Sequence, residues 1–480
     1  MVGATMVRTA WCENHYQANR QSGIALIVVL VLLGLLVGAL AIGLASDLAR
    51  ENKKQQQTTD ALAKAKEALI GYAAGVNLNP SPACAGAPNC VRPGDLPCPD
   101  IDNDGVAEGS CGNGAGTTGQ AARLGRLPWK TLGLDDLRDG DGERLWYAIS
   151  NNFKYNFRTA CAAPGDPGCL NSDSRGTLTV RGNDGTIIYD GATVSGAIAV
   201  VISPGAVLQR QGSASPQDRS AAGVNNPVNY LDVGNGEDNK DFVDSSNTDG
   251  FINGLVYDAS SNVIVNDRIL AITYSDLMPI LERRVAKEVS NCLTSYAADP
   301  QNNGRYPWAA DMSASAGGVY TAAFNTRMGR VPDSFDYTLL GIGGPVISFL
   351  CSVLPLLCMQ SSWPASCTIT VGSWWTNWKD LAFYSVADAY KPQFLGAAPS
   401  CGGCLIVNSP SSVQTNKKFV VMVAGKRLSG VAGGQPRATI LNKSTPGNYL
   451  EGENDWTTGV ADTFSQQPAT ATFNDYLLFQ

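Results

Sequence analysis

Imidazole is almost absent from this 480-residue chain, whose one histidine is His15. If the first 23 residues are removed, as the processing pattern below predicts, no histidine remains. Serine or cysteine nucleophiles activated by histidine, and histidine-bound zinc or iron, are then excluded. Charge is sparse as well: 16% of residues are ionic, 35 basic against 42 acidic, for a net charge of −7. No basic cluster tracks a phosphate backbone, so nucleic acid is excluded as a partner. Low-complexity sequence is also lacking, although 51 glycines and 25 prolines promise many turns and long loops. The length suits two or three domains.

What the chain does have is one long apolar run. From Ile24 to Ala45 there is neither a charge nor a proline, which predicts a helix long enough to cross a bilayer. The preceding segment holds Arg8 and Arg20 against Glu13, a positive bias favouring a cytoplasmic N-terminus. No small-residue secretory cleavage site follows the run; instead Gly23 stands directly before it. Beyond Ala45 the Ala-, Lys-, Gln- and Glu-rich stretch to Tyr72 continues the helical pattern to about Ala74.

A short basic leader ending in glycine, followed by an apolar helix, resembles the type IV prepilins and type II secretion pseudopilins. The resemblance covers roughly thirty residues around Arg20-Gln-Ser-Gly23 and Ile24-Ala-Leu-Ile-Val28. It implies cleavage after Gly23 by a prepilin peptidase, with Ile24 as the methylated first mature residue. The family usually has Glu at the fifth mature position, and this chain has Val28 there. K-type pseudopilins, which cap the filament tip, lack that glutamate too, so the departure implies a tip role. An uncut signal anchor is the plainer alternative.

Thirteen cysteines become twelve once Cys12 leaves with the leader, an even number that suits an oxidising compartment. Spacing predicts Cys84 with Cys90, Cys98 with Cys111, and Cys161 with Cys169, all in Gly/Pro-rich loops. Cys401-Gly-Gly-Cys404 follows Pro399, with no helix to activate a thiol and no second C-x-x-C to complete a zinc site, so it reads as a structural disulfide. The pairing of Cys292, Cys351, Cys358 and Cys367 stays open.

Six blocks recur in order. Leu69-Ile-Gly-Tyr-Ala-Ala74 returns as Leu293-Thr-Ser-Tyr-Ala-Ala298, and Gly125-Arg-Leu-Pro128 as Gly329-Arg-Val-Pro332. The segments at Glu143–Ile149, Ala197–Ile202, Asn229–Asp232 and Asn266–Leu270 answer those at Lys379–Val386, Lys418–Val423, Asn448–Glu451 and Asn474–Leu478. The predicted fold class is α+β: a long N-terminal transmembrane helix, then two tandem pilin-like modules, each a helix on a mainly antiparallel sheet with disulfide-rich loops. Boundaries fall at 1–23 for the leader, 24–45 for the membrane or filament-core helix, 46–276 for module one and 277–480 for module two. Module two carries an apolar insertion over 333–378, with Trp363, Trp374, Trp375 and Trp378, which reads as a disulfide-pinned loop presenting a contact surface.

Asp100-Ile-Asp102-Asn-Asp104-Gly105 fits the start of a calcium loop, in which alternate carboxylates converge on a hard cation. Position twelve is Cys111 instead of the usual glutamate, leaving Glu108 as a substitute ligand. Calcium and a solvated acidic turn are both open readings; some K-type pseudopilins bind calcium in their heads. Other acidic groups, at Asp139, Asp141 and Glu143, at Asp238, Asp241, Asp244 and Asp249, and at Glu451, Glu453 and Asp455, are weaker candidates. Nothing in the spacing sets two carboxylates at glycosidase separation, so no enzyme is expected. The expected function is a minor subunit at or near the tip of a type IV pilus or type II secretion pseudopilus. It would be held at the inner membrane with a periplasmic head, with the prepilin peptidase and other pilin or pseudopilin subunits as partners. The alternative is a membrane-anchored, calcium-binding surface adhesin or binding module.

Overall fold

The computed structural model describes residues 15–78, 92–111, 122–155, 161, 169–210, 215–313, 318–335, 359, 362–370, 374–393, 397–431 and 434–480. The chain divides into two compact units, residues 1–59 and 60–480. A single helix, α1, runs over His15–Gly75, 61 residues without a proline. It passes through Gly23 and Ile24 unbroken, so backbone helicity begins before the expected mature start.

Among the described residues no helix is long and apolar enough to cross a membrane. Among the described residues, the large apolar side chains exposed on α1 are those from Leu26 to Val37 and, further on, Leu48. The transmembrane helix expected over 24–45 is therefore corrected, and with it the single-pass inner-membrane localisation.

The larger unit contains one architecture twice. Leu124–Arg126, Trp146–Ile149, Ala199–Ser203 and Arg268–Ile272 form a four-stranded antiparallel sheet in that order. Met328–Arg330, Ala382–Val386, Phe419–Val423 and Tyr476–Phe479 form a second, with the same order and directions. Beside each lies a three-stranded sheet. In one, Val180–Gly182 sits between antiparallel Ile187–Tyr189 and parallel Phe251–Asn253. In the other, Leu405–Ser409 sits between antiparallel Ser412–Lys417 and parallel Thr463–Ser465. The sheets are thus several, small and mixed, where one mainly antiparallel sheet per module was expected. Each parallel pair arises because the strand returns after a long crossover and enters in the original direction.

The same close approach recurs at the repeated glycines. Asp100 and Arg126 exchange both backbone hydrogen bonds, as do Ala310 and Arg330. A Cβ at Gly125 would meet the Asp100 carbonyl oxygen at 2.7 Å, and one at Gly329 the Ala310 carbonyl oxygen at 2.0 Å. Neither position has room for a side chain.

Two helical segments complete the core. Ala61, Leu62, Ala65, Leu69 and Ala73 of α1, at helical spacing, are buried with Tyr147, Ile149, Val201 and Ile272. The helix α2, Tyr274–Ala298, begins at a capping box between Thr273 and Asp276 and buries Leu281, Val285, Val289, Cys292, Leu293 and Tyr296. Asp276 also pairs with Lys66 at 2.8 Å. Glu282 of α2 is buried, and burial pushes its carboxyl up to about 7. One continuous apolar cluster contains residues of both sheets and both helical segments, so the two repeats share a core instead of forming separate domains.

The insertion is the second correction. Trp363, Trp374, Trp375 and Trp378 are between 0% and 5% exposed and belong to that shared core. Three of their indole nitrogens are satisfied: Trp363 donates to the Pro332 carbonyl, Trp374 to that of Thr368 and Trp375 to the Asp333 carboxylate. Indoles cost too much to leave in water, and this segment lies against the ring of Tyr296 on α2. Residues 336–358, with Cys351 and Cys358, lie outside the described residues.

Candidate functional site

The first candidate is the apolar part of α1. Eleven large aliphatic side chains from Leu26 to Val37 are each 50–65% exposed, Val28 among them. Leucine at this density favours helix, and consecutive apolar positions leave no polar face to turn toward solvent. For Gly23 and Ile24 the structure describes the helical backbone alone.

The acidic loop is the second. Asp100 is buried, and its carboxylate accepts from the backbone N–H groups of Asn103 at 2.6 Å, Asp104 at 3.2 Å and Gly105 at 2.7 Å. Desolvation raises the Asp100 pKa, while the amide donors pull against that rise. Gly105 turns the chain at φ +87°, and a Cβ there would meet the Trp129 ring at 2.6 Å. Asp100, Asp102 and Glu108 each bring a carboxylate oxygen within 4.8 Å of the others. Asp104 is not in that group: its carboxylate accepts from Val106 N–H at 2.7 Å. Three convergent hard oxygen donors fit a divalent cation such as calcium, as the charged part of a coordination shell. The Cys98–Cys111 disulfide closes the loop.

The cysteines are structural in their surroundings. Cys161–Cys169 and Cys401–Cys404 are disulfides, and Cys292–Cys367 ties α2 to the tryptophan segment. That last link joins residues 75 apart, which spacing alone could not single out. Cys84 and Cys90 lie outside the described residues.

The other acidic candidates separate. Asp139 is fully buried and accepts from Ser203 Oγ, Gly205 N–H, Asp141 N–H and Glu143 N–H, which organises a turn. Asp244 pairs with Arg123 at 3.0 Å. Asp238 pairs with Lys240 at 2.5 Å. Asp249 has its carboxyl raised by burial, and Asp241 stands at the rim of a cavity beside Lys240. Glu453 accepts from Asn408 Nδ2, and Asp455 from Thr457 N–H and Oγ1.

A polar network that sequence reasoning missed is built twice. Gln217 donates to Asp232, whose N–H donates to Asp267, and Asn239 Nδ2 donates to Asp267 as well. In the second repeat Gln435 donates to Glu451, whose N–H donates to Asp475, and Asn454 Nδ2 donates to Asp475. Arg219 and Arg437 bind the glutamine oxygens from matching positions, at 2.8 and 3.2 Å. The usable signal was Gln217-x-Arg219 and Gln435-x-Arg437, lying between blocks already seen to recur. Burial pushes Asp232 up to about 6, and burial followed by the charge of Asp232 raises Asp267 well above the carboxylate range. Asp475 is raised in the same way, by burial and then by Glu451.

These raised values set a pH dependence. A carboxyl that holds its proton more tightly in the folded state stabilises that state fully below its unfolded pKa, about 4, and loses the contribution as pH rises through the folded value. For Asp232 and Glu282 the loss spans roughly pH 4 to 7. The melting temperature of the head is expected to be higher at pH 5 than at pH 8, and Asp232→Asn should flatten that slope. Calorimetry showing a melting temperature that climbs from pH 5 to pH 8 would contradict it.

No family model, curated protein or solved structure matches this chain.

Proposed function

We propose that the chain is a structural subunit of a type IV pilus or type II secretion pseudopilus, a minor component at or near the tip, and not an enzyme. The observation that carries this reading is the exposed aliphatic run from Leu26 to Val37 on an unbroken helix, directly after Gly23 and Ile24. Each such side chain gains about 1.5–3 kcal/mol when fully buried, so eleven together strongly favour a partner that surrounds the helix. Neighbouring apolar helices of other pilin or pseudopilin subunits would do so in a filament core. Val28 offers no carboxylate to a neighbour's N-terminal amine, which suits a subunit with nothing stacked above it. Cleavage after Gly23 by a prepilin peptidase would free Ile24.

Intact-mass analysis of the protein from cells carrying a prepilin peptidase tests this. A chain beginning at Ile24 is expected, and Gly23→Phe should block the shortening, because a bulky side chain does not fit where the peptidase accepts glycine. A retained Met1 in the parent, or normal shortening of Gly23→Phe, would defeat the reading.

The convergence of Asp100, Asp102 and Glu108 supports calcium as a ligand of the head. A cation bound only by the folded state raises stability by about 2.7 kcal/mol at a hundred times its dissociation constant. The melting temperature is therefore expected to rise with added calcium, and Asp102→Ala to abolish the rise. Asp104→Ala should leave most of it, since Asp104 stands outside the cluster. An unchanged melting temperature in the parent protein would exclude the site.

A further inference from the structure

The two repeats treat one buried arginine differently. In the second, all three guanidinium nitrogens of Arg330 have an acceptor: Nε donates to the Met312 carbonyl at 3.1 Å, Nη2 to the Lys443 carbonyl at 2.9 Å and Nη1 to the Asp380 carbonyl. Its counterpart Arg126 donates Nη1 to the Arg144 carbonyl at 2.9 Å and Nη2 to the Val224 carbonyl at 3.1 Å. Its Nε has no hydrogen-bond partner among the described residues, and neither has the indole nitrogen of Trp146, whose ring lies 4.3 Å from the guanidinium. Arg126 is 4% exposed and Trp146 2%.

The cause lies in the chain that pairs with each arginine. Asp100 and Ala310 hold equivalent places, since each exchanges backbone hydrogen bonds with its arginine. Two residues after Ala310, the chain runs on so that Met312 presents its carbonyl to Arg330. After Asp100 the chain cannot do this, because the carboxylate gathers three following amides and folds them into the acidic loop. The carbonyl of Asp102, equivalent to that of Met312, is turned to Asn225 instead. What this leaves is a cavity of about 290 Å³, lined by Asp100, Ile101, Arg126, Trp146, Asn225 and Lys240 among others.

We infer that this cavity receives a segment of another polypeptide, a main-chain carbonyl with an apolar side chain of methionine size, in the place that Met312 takes in the second repeat. The carbonyl would accept from Arg126 Nε and Trp146 Nε1, two donors that are costly to bury unpaired. The apolar side chain would lie against Ile101 and the Trp146 ring. The register supports the indole's role: Trp146 pairs with Arg126 as Phe383 pairs with Arg330, so the second repeat, which supplies its own carbonyl, has no ring N–H at that place. This inference does not depend on the filament reading.

The test uses the full chain labelled with 5-fluorotryptophan, with N-acetyl-methionine N-methylamide as the probe. Saturable movement of the Trp146 resonance, assigned with Trp146→Phe, is expected at millimolar probe, and N-acetyl-alanine N-methylamide should bind more weakly. Ligand-observed NMR should give roughly five-fold weaker binding to Trp146→Phe, the loss of about one hydrogen bond. Ile101→Trp, which fills the cavity mouth from an exposed position, should weaken binding by more than about ten-fold while leaving the melting temperature unchanged. No movement of the Trp146 resonance, or binding indifferent to both substitutions, would overturn the inference.

Discussion

Replacing Trp374 by Ala is expected to destabilise the head by about 3–5 kcal/mol, the range for emptying a fully buried indole site. Trp374 is 0% exposed, donates to the Thr368 carbonyl at 2.9 Å and meets Trp375 edge-to-face at 5.6 Å. Its removal takes away packing and leaves a carbonyl without its donor. Serine at both Cys292 and Cys367 is expected to cost about 2–5 kcal/mol, because that disulfide closes a long loop. Urea unfolding followed by tryptophan fluorescence measures both changes as a shift in midpoint at constant slope. Deleting the segment should therefore unfold the head, the opposite of what a surface appendage would do. An unchanged midpoint for Trp374→Ala would return the segment to the surface.

The second large effect is expected at Asp173, where the repeats are joined by charge. Its carboxylate lies 3.1 Å from Arg437 Nη1 and accepts from Arg427 N–H at 3.1 Å. The side chains of Asp173 and Arg437 are 1% and 0% exposed. Removing one member of such a pair leaves the other buried without its counter-charge, at a cost of about 3–5 kcal/mol. Asp173→Ala should fall in that range, and Asp173→Asn should cost less because it keeps the shape and an acceptor. Arg427→Ala is the control: its side chain is 43% exposed, and its loss should shift stability by no more than about 0.5 kcal/mol. A loss below about 1 kcal/mol for Asp173→Ala would mean that the repeats do not depend on this contact.

Both predictions rest on one unit instead of two. Asn377, in the tryptophan segment, accepts from Leu170 N–H through its side chain, and its carbonyl accepts from Asn171, so this segment also fastens the first repeat to the second. The Asn171, Asn377, Asp173 and Arg437 side chains at this junction bond across it between the repeats, which makes the arrangement specific as well as stable. Unfolding of the two repeats is expected to be coupled for the same reason.

Local pattern in the sequence determined what depends on near neighbours. Alanine and leucine at helical spacing in α1 and α2 mark the faces that are buried, and proximity accounts for Cys98 with Cys111, Cys161 with Cys169 and Cys401 with Cys404. The recurring blocks mark equivalent places because each holds a contact that spacing preserves, such as the glycines that admit a facing carbonyl. Tertiary structure alone decided the rest. Hydropathy cannot say whether an apolar, tryptophan-rich insertion faces solvent or core; that is settled by the apolar surface of α2, far away in sequence, against which it packs. It cannot show that Asp102 and Glu108 converge with Asp100 while Asp104 accepts from the Val106 N–H instead. Nor can it show that Asp100, where the second repeat has Ala310, folds its loop aside and leaves Arg126 facing a cavity, since that is a competition among hydrogen bonds between residues brought together only by the fold.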